Sequence, residues 1–314
     1  MIKYCVKRII YLIPTLMLVA IMIFSLIHLI PGDPASVMLG ADATEEDLNA
    51  IRQELGLEKP IATQFGLWLG KVIKGDFGIS IQTKIPVMQS IKERFSVTLI
   101  LTTLAMIFSL IIAIPSGIMA AVYQNSRKDY LFMLGSILGV SIPGFWLGLI
   151  ALLVFSVKLG WFPSTGFVSI SENVLEGFRY MILPSITLGL FMAAVVARMI
   201  RSSMLEVLRL EYVTHARAKG LSEWKVITKH ALKTAFAPTL TTIGIQYGFL
   251  LGGAVVTETV FSLPGLGKYV VVSIYMRDYP VVQGCILFIA IVYCVANLVV
   301  DLLYSYFDPR VRYE

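Results

Sequence analysis

Long apolar runs separated by short polar segments set the pattern of this chain. Six stretches, 9–30, 97–122, 130–157, 181–200, 238–261 and 281–304, are apolar almost throughout. About 20 such residues in a helix cross a hydrocarbon core of about 30 Å. The runs lack the two-residue alternation of a barrel strand, and a backbone in lipid must pair its polar groups within the segment, so each run predicts a transmembrane helix. Lys3, Lys7 and Arg8 precede the first run as they would in a signal peptide. That run is too long for a signal's apolar core and shows no small-residue cleavage site before Pro31, so it is read as a retained span.

The polar segments carry their own helical signals. Between the first two runs, "PGDPASVMLGADATEEDLNAIRQELGLEKP" places Thr44 where it can cap a helix whose first turn holds Glu45, Glu46 and Asp47, with Gly56 as its stop. A second helix is predicted from Pro60 to Lys74, ending near Gly75. The segment is too poor in apolar residues to make its own core and is expected to pack on the outer ends of the spans. Its acidic residues read as a solvated face.

The other long polar segment, "EYVTHARAKGLSEWKVITKHAL", runs from Glu211 to Leu232 between the fourth and fifth runs. A helix is predicted over Ser203–Lys219, with Gly220 as a left-handed stop and Leu221 as its hydrophobic partner. Ser222 can cap a second helix that has Glu223 in its first turn. In that helix Lys225, Lys229 and Lys233 recur at steps of four as a cationic stripe, and Trp224, Ile227 and Ala231 form an apolar one. Lipid headgroups or an acidic partner could each offset the cations, and periodicity alone leaves both open.

Composition agrees with the pattern. The chain is 57% hydrophobic and 15% charged with a mean hydropathy of +0.80, values of an integral membrane protein. An inside N-terminus gathers Lys3, Lys7, Arg8, Arg127, Lys128, the basic residues from Arg198 to Lys233, Arg310 and Arg312 on the cytoplasmic side. It leaves Lys158, Arg179, Lys268 and Arg277 in the outer loops, so both termini are expected inside. Cys5, Cys285 and Cys294 support no disulfide framework and read as small packing residues.

Catalytic patterns mostly fail. His28, His215 and His230 are the only histidines, and they form no zinc-protease motif. Gly139-Val140-Ser141 resembles part of an intramembrane serine-protease motif, but no histidine lies in a later span to act as base. Around Gly267-Lys268 a phosphate loop fails, because Ser262 stands for its first glycine and Tyr269 for its Ser or Thr. Asp76 has no second intramembrane aspartate to form a dyad. No row of buried acids suggests ion coupling, which counts against a secondary transporter. Within the runs Gln246 and Asn297 are the buried polar candidates, while Glu258, Asp301, Arg198 and Arg201 lie near run ends. "GFLLGGAVV", 248–256, suits either close helix approach or the wall of a passage.

Several motifs in register carry a resemblance. "IPGDP" at 30–34, "SIPGFWLGL" at 141–149, "LGWFPSTG" at 159–166, "ARAKGL" at 216–221, "HAL" at 230–232, "FSLPGLG" at 261–267, "DYPVVQG" at 278–284 and "DPRVR" at 308–312 together cover nearly the whole chain. In that order they resemble ABC-importer permeases of the dipeptide, oligopeptide and nickel branch. The family's loop pattern is E-A-A, three residues, Gly, nine residues, I-x-L-P. Thr214, His215 and Ala216 stand at its first three positions, Gly220 at its glycine, and His230, Ala231, Leu232 and Lys233 at its last four. Only Ala216, Gly220 and Leu232 match, and no contact needing a glutamate at Thr214 carries over.

The resemblance implies an all-α polytopic membrane protein with six transmembrane helices and the type I ABC-importer permease fold. Its regions would be a cytoplasmic N-terminus and first helix (1–30), a mainly helical extracytoplasmic region (31–96), a five-helix transmembrane domain (97–305) with a coupling loop at 203–236, and a cytoplasmic tail (306–314). Thr214, His215, Ala216, Arg217, Ala218, Lys219, Gly220, Leu221, Ser222 and Leu232 would meet the ATPase, and Gln246 and Asn297 would line the pathway. The expected partners are a related second permease, two ABC ATPase subunits, an extracytoplasmic binding protein and membrane lipid, with no nucleic acid. The chain itself would be no enzyme and bind no cofactor or metal, ATP and magnesium belonging to the ATPases. Peptides are the expected cargo. Nickel and glutathione import are the alternatives within the branch, and a channel or secondary transporter without an ATPase is the alternative outside it.

Overall fold

A computed structural model describes residues 2–29, 35–36, 40, 43–56 and 58–307. The motifs "IPGDP" and "DPRVR" therefore lie largely or wholly outside the described residues, as do the last residues of the expected tail. The elements are α1 (Ile2–Leu29), α2 (Glu45–Leu55), α3 (Ile61–Ile73), α4 (Val87–Val122), α5 (Arg127–Ser141), α6 (Gly144–Ala151), α7 (Val174–Val207), α8 (Glu211–Ala218), α9 (Leu232–Val260), α10 (Leu266–Tyr275) and α11 (Tyr279–Phe307). Among the described residues extended pairing is limited to one isolated antiparallel bridge, Ile79 with Pro86. Three helices, over Val87–Val122, Val174–Val207 and Tyr279–Val300, are long and apolar enough to cross a membrane among the described residues, and five are if each of two bent pairs counts as one span.

The described residues fall into two units, the first drawn from 1–97 and 264–295 and the second from 98–263 and 296–314. In the first unit Ala20 and Ile23 of α1, Val87 and Ile91 of α4, Leu266 and Tyr269 of α10, and Val281 and Cys285 of α11 share one core. Thr44 closes a capping box with Asp47, and Gly56 ends α2 in the left-handed region at φ +64°. α3 starts after Pro60 and gives way to Gly75 at φ +83°. It lies on α1 through aromatic contacts, Phe24 to Phe65 at 5.4 Å and Phe24 to Trp68 at 5.7 Å. The turn between α10 and α11 is pinned by buried Asp278, whose carboxylate accepts hydrogen bonds from the Ser80 hydroxyl and from the backbone N–H groups of Ile81 (3.2 Å) and Gln82 (3.4 Å).

The second unit is built around α7, whose Met192, Val196, Ile200 and Met204 are buried in a core shared with α4, α8 and α9. α4 and α7 approach closely because glycine stands at the contacts. A Cβ on Gly189 would lie 2.5 Å from the carbonyl oxygen of Ala105, and one on Gly117 2.7 Å from that of Ala197. The predicted single span over 130–157 is instead two helices, α5 and α6, bent by 101°. Pro143 is the cause: its ring disfavours helical backbone at the residue before it, and Ile142 is extended at φ −81°, ψ 124°. α6 then runs into a wider π-helical stretch, Leu152–Lys158.

A second expectation also needs correction. The helix read over Ser203–Lys219 is broken, α7 ending at Val207 and α8 starting at Glu211. Between them Leu210 N donates to Val207 O at 3.0 Å, and Leu210 is extended at φ −72°, ψ 145°. The tight turn redirects the chain into α8 with both Val207 and Val213 buried in the same core.

Candidate functional site

The loop from Leu208 to Leu232 is a folded hairpin rather than a loose linker. α8 buries Val213 and Ala216 on one face and exposes Thr214, His215, Arg217, Ala218 and Lys219 on the others. Gly220 stops it at φ +76°, its N–H bonded to Arg217 O at 2.9 Å. Leu221 then packs against the core, as its place after the glycine led us to expect.

The restart differs from expectation. Ser222 makes no side-chain capping bond; the neighbouring Glu223 does the fastening. Its carboxylate accepts from Arg217 Nη2 at 2.7 Å and from Arg217 Nε at 3.1 Å, a bidentate pair across the glycine bend. The guanidinium holds the Glu223 carboxyl below its ordinary range, so the pair persists above that range and is lost only as pH falls through the depressed value. Tyr212 adds a second tie, its hydroxyl reaching the His230 carbonyl at 3.3 Å and the Thr234 hydroxyl at 2.9 Å.

Beyond Lys225 the backbone widens into a π-helical stretch, Val226–Ala231, before α9 begins at Leu232. The extra residue per turn shifts the faces. Lys225, Lys229 and Lys233 are all exposed, as the stripe predicts. The apolar stripe is split: Ile227 and Ala231 are buried, whereas Trp224 is 68% exposed.

A second feature lies deeper in the same unit. A half-open cavity of about 570 Å³ is lined by Ile142, Phe145, Leu188, Phe249 and Gln246, with Gly139, Gly144, Gly248 and Gly252 keeping its walls thin. The α5–α6 bend forms one wall. The "GFLLGGAVV" glycines thus face open space at Gly248 and Gly252 rather than sealing a helix contact. The Oε1 atom of Gln246 is shielded and has no hydrogen-bond partner. Asn297, half-buried on α11, is not among the lining residues.

Sequence reasoning missed the most buried ion pair among the described residues. Asp129, buried at the start of α5, accepts from Arg201 Nε at 2.8 Å and Nη2 at 2.7 Å, and from the N–H of Asn125 at 3.0 Å. The pair ties α7 to the turn between α4 and α5. Its legible trace is Ser126 three residues before Asp129, a capping pattern that the structure realises. Glu258 is fully buried and accepts from the Thr98 hydroxyl. Among the described residues no cluster of three or more His, Cys, Asp or Glu could hold a metal ion.

Helices long and apolar enough to cross a membrane, a bent helix pair beside a cavity and a braced polar hairpin describe a multi-pass membrane protein. Residues 113–313 match the family described as binding-protein-dependent transport system inner membrane component, and residues 1–102 match its N-terminal region. The chain belongs to this family. It is 44% identical to the dipeptide transport system permease protein DppB of Alkalihalophilus pseudofirmus and 43% identical to the glutathione transport system permease protein GsiC of Escherichia coli, in each case over 100% of both chains. A chain of the inward-facing MetNI methionine ABC transporter shares the fold, with a TM-score of 0.60, 18% identity and coverage of 70% of this chain and 97% of that one. The protein is thus a permease subunit of an ATP-driven importer.

Proposed function

We propose that the importer carries short peptides and that the hairpin around Gly220 is where ATP hydrolysis on another subunit reaches the pathway. The observation that carries this reading is the position of the braced bend. Gly220 and the Arg217–Glu223 pair sit at the family's loop pattern, between two long membrane helices. Arg217, Lys219 and the exposed face of α8 meet an ABC ATPase that binds ATP and magnesium. Two such ATPases, a related second permease and an extracytoplasmic binding protein complete the assembly. The chain crosses the membrane six times with both termini in the cytoplasm, in line with its lysine and arginine distribution.

The mechanical argument is one of rigid links. Closure of the ATPase pair displaces α8, and the Arg217–Glu223 and Tyr212–Thr234 ties keep the hairpin from absorbing the motion by unwinding. The displacement passes into α7 through the turn at 208–210 and to the α4–α5 turn through Arg201 and Asp129. Packed elements switch between discrete arrangements rather than stretching, so a shift at one end is delivered at the other. Gln246 on the cavity wall would accept a hydrogen bond from cargo, while Asn297, which is not among the residues lining that cavity, is left without a role there.

Peptide cargo is supported by the relatives at 44% and 43% identity, which carry dipeptides and glutathione, itself a small peptide. The test is purification of the tagged protein from its native membrane in mild detergent. An ATPase and a second permease should accompany it, and Gly220→Trp should release the ATPase while leaving membrane insertion intact. A chain that purifies alone from membranes containing both partners would refute the reading. Uptake of labelled dipeptide against labelled glutathione by the same cells decides the cargo.

A further inference from the structure

We infer that Trp224 is the anchor by which this permease grips its ATPase, and that the groove it enters is apolar at its floor and rimmed by carboxylates. The inference rests on the coupling-loop reading above and adds the residue and the partner chemistry.

Trp224 is the largest side chain in the hairpin and stands 68% exposed, more than Leu210 at 45% or Tyr212 at 41%. Val213, Ala216, Val226, Ile227 and Ala231 are all turned into the core. A helix built to lie on lipid presents a continuous apolar face to the membrane. Here that face is already used inward, because the π-helical stretch Val226–Ala231 rotates Trp224 away from Ile227 and Ala231. The most exposed apolar group left is the Trp224 ring, followed along the chain by the exposed Lys225 and Lys229, the form of a pocket anchor rather than of a membrane-lying stripe.

The ring is also presented by a fixed backbone. The residue before it, Glu223, is held by the bidentate pair with Arg217, and the Thr228 hydroxyl donates to the Trp224 carbonyl at 2.7 Å. An exposed aromatic on a braced turn loses little freedom on binding, which is how a few side chains come to dominate an interface. Lys225, Lys229 and Lys233 stand exposed on the same stretch, and none is ion-paired among the described residues. A groove receiving Trp224 is therefore expected to carry carboxylates at its edge, where they face the lysines, and to offer the buried indole N–H an acceptor.

The test compares the wild-type protein with Trp224→Ala, Trp224→Phe and Lys225→Glu/Lys229→Glu, each purified with its ATPase from native membranes and then diluted to measure how fast the ATPase dissociates. Loss of the ring should speed release at least ten-fold, phenylalanine should restore part of the grip, and the double charge reversal should speed release more at low salt than at high salt. The thermal midpoint of the permease itself should stay within a degree or two of wild type in Trp224→Ala, because the side chain is mostly exposed and belongs to neither buried core. Unchanged release from Trp224→Ala overturns the inference while leaving the coupling reading intact. A wild-type chain that retains no ATPase at all overturns both. Unchanged ATPase release together with lost binding to phosphatidylglycerol vesicles overturns it in favour of a lipid contact.

Discussion

Gly189 offers the sharpest test of how the second unit is packed. A methyl group there would lie 2.5 Å from the Ala105 carbonyl oxygen, 3.2 Å from its carbonyl carbon and 3.4 Å from its Cα, all backbone atoms of α4. Ordinary contact begins at about 3.4 Å, so the two helices must part locally by about 3.4 − 2.5 = 0.9 Å. The obstacle is a helical carbonyl, which cannot rotate aside as a side chain can. Overpacking of this kind costs about 1–3 kcal/mol, and the better helix propensity of alanine returns about 1 kcal/mol. A net effect between about zero and a loss of about 2 kcal/mol is expected for Gly189→Ala. Gly135→Ala on α5 is the control, since a Cβ there meets nothing within 4 Å and only the propensity gain of about 1 kcal/mol remains. At roughly 2–4 °C per kcal/mol, the thermal midpoint in detergent should fall by up to about 8 °C for Gly189→Ala and rise by about 2–4 °C for Gly135→Ala. Both variants should be scanned at one heating rate against wild type. A Gly189→Ala midpoint equal to or above that of Gly135→Ala would refute the close α4–α7 contact.

Three further outcomes follow from the same geometry. Gly220→Ala should strain the left-handed bend by about 1 kcal/mol and lower dipeptide uptake with normal insertion, whereas Gly220→Asn, which tolerates φ near +76°, should retain more uptake. Asp129→Asn should cost about 3 kcal/mol because it leaves a mostly buried Arg201 guanidinium without its anion, and Asp129→Asn should be clearly less stable in thermal denaturation than the paired Asp129→Asn/Arg201→Met. Asp278→Ala removes the acceptor shared by Ser80, Ile81 and Gln82, so the 79–86 segment should become cleavable under limited proteolysis that leaves wild type intact; unaltered resistance would argue against the pin.

Much of the local architecture was legible because its causes are local. Thr44 and Gly56 bound α2, and Gly220 turns the hairpin, through backbone preferences that depend on one residue and its neighbours. The apolar runs marked membrane helices because length and polarity alone decide solubility in lipid. The same logic failed where a local break interrupted a helix that run length or even spacing assumed to be regular. Run length alone marked 130–157 as one span, whereas Pro143 splits it with a 101° bend. Helical spacing put Trp224 with Ile227 and Ala231, but the helix widens into a π-helical stretch there, and Trp224 is exposed while the other two are buried.

By itself the sequence determined an all-helical membrane chain, its polar hairpin with a glycine at the turn, and its likeness to importer permeases, since periodicity, caps and motif order are properties of consecutive residues. Only the tertiary structure decided which charges meet. Arg217 found Glu223 across the bend and Arg201 found Asp129, 72 positions away, because folding brings α7 against the start of α5. It also decided that Gly189 and Gly117 are contact points while Gly248 and Gly252 border a cavity. Nothing in a glycine's own chemistry separates these cases. What separates them is the surface that faces the missing side chain, and that surface belongs to another helix.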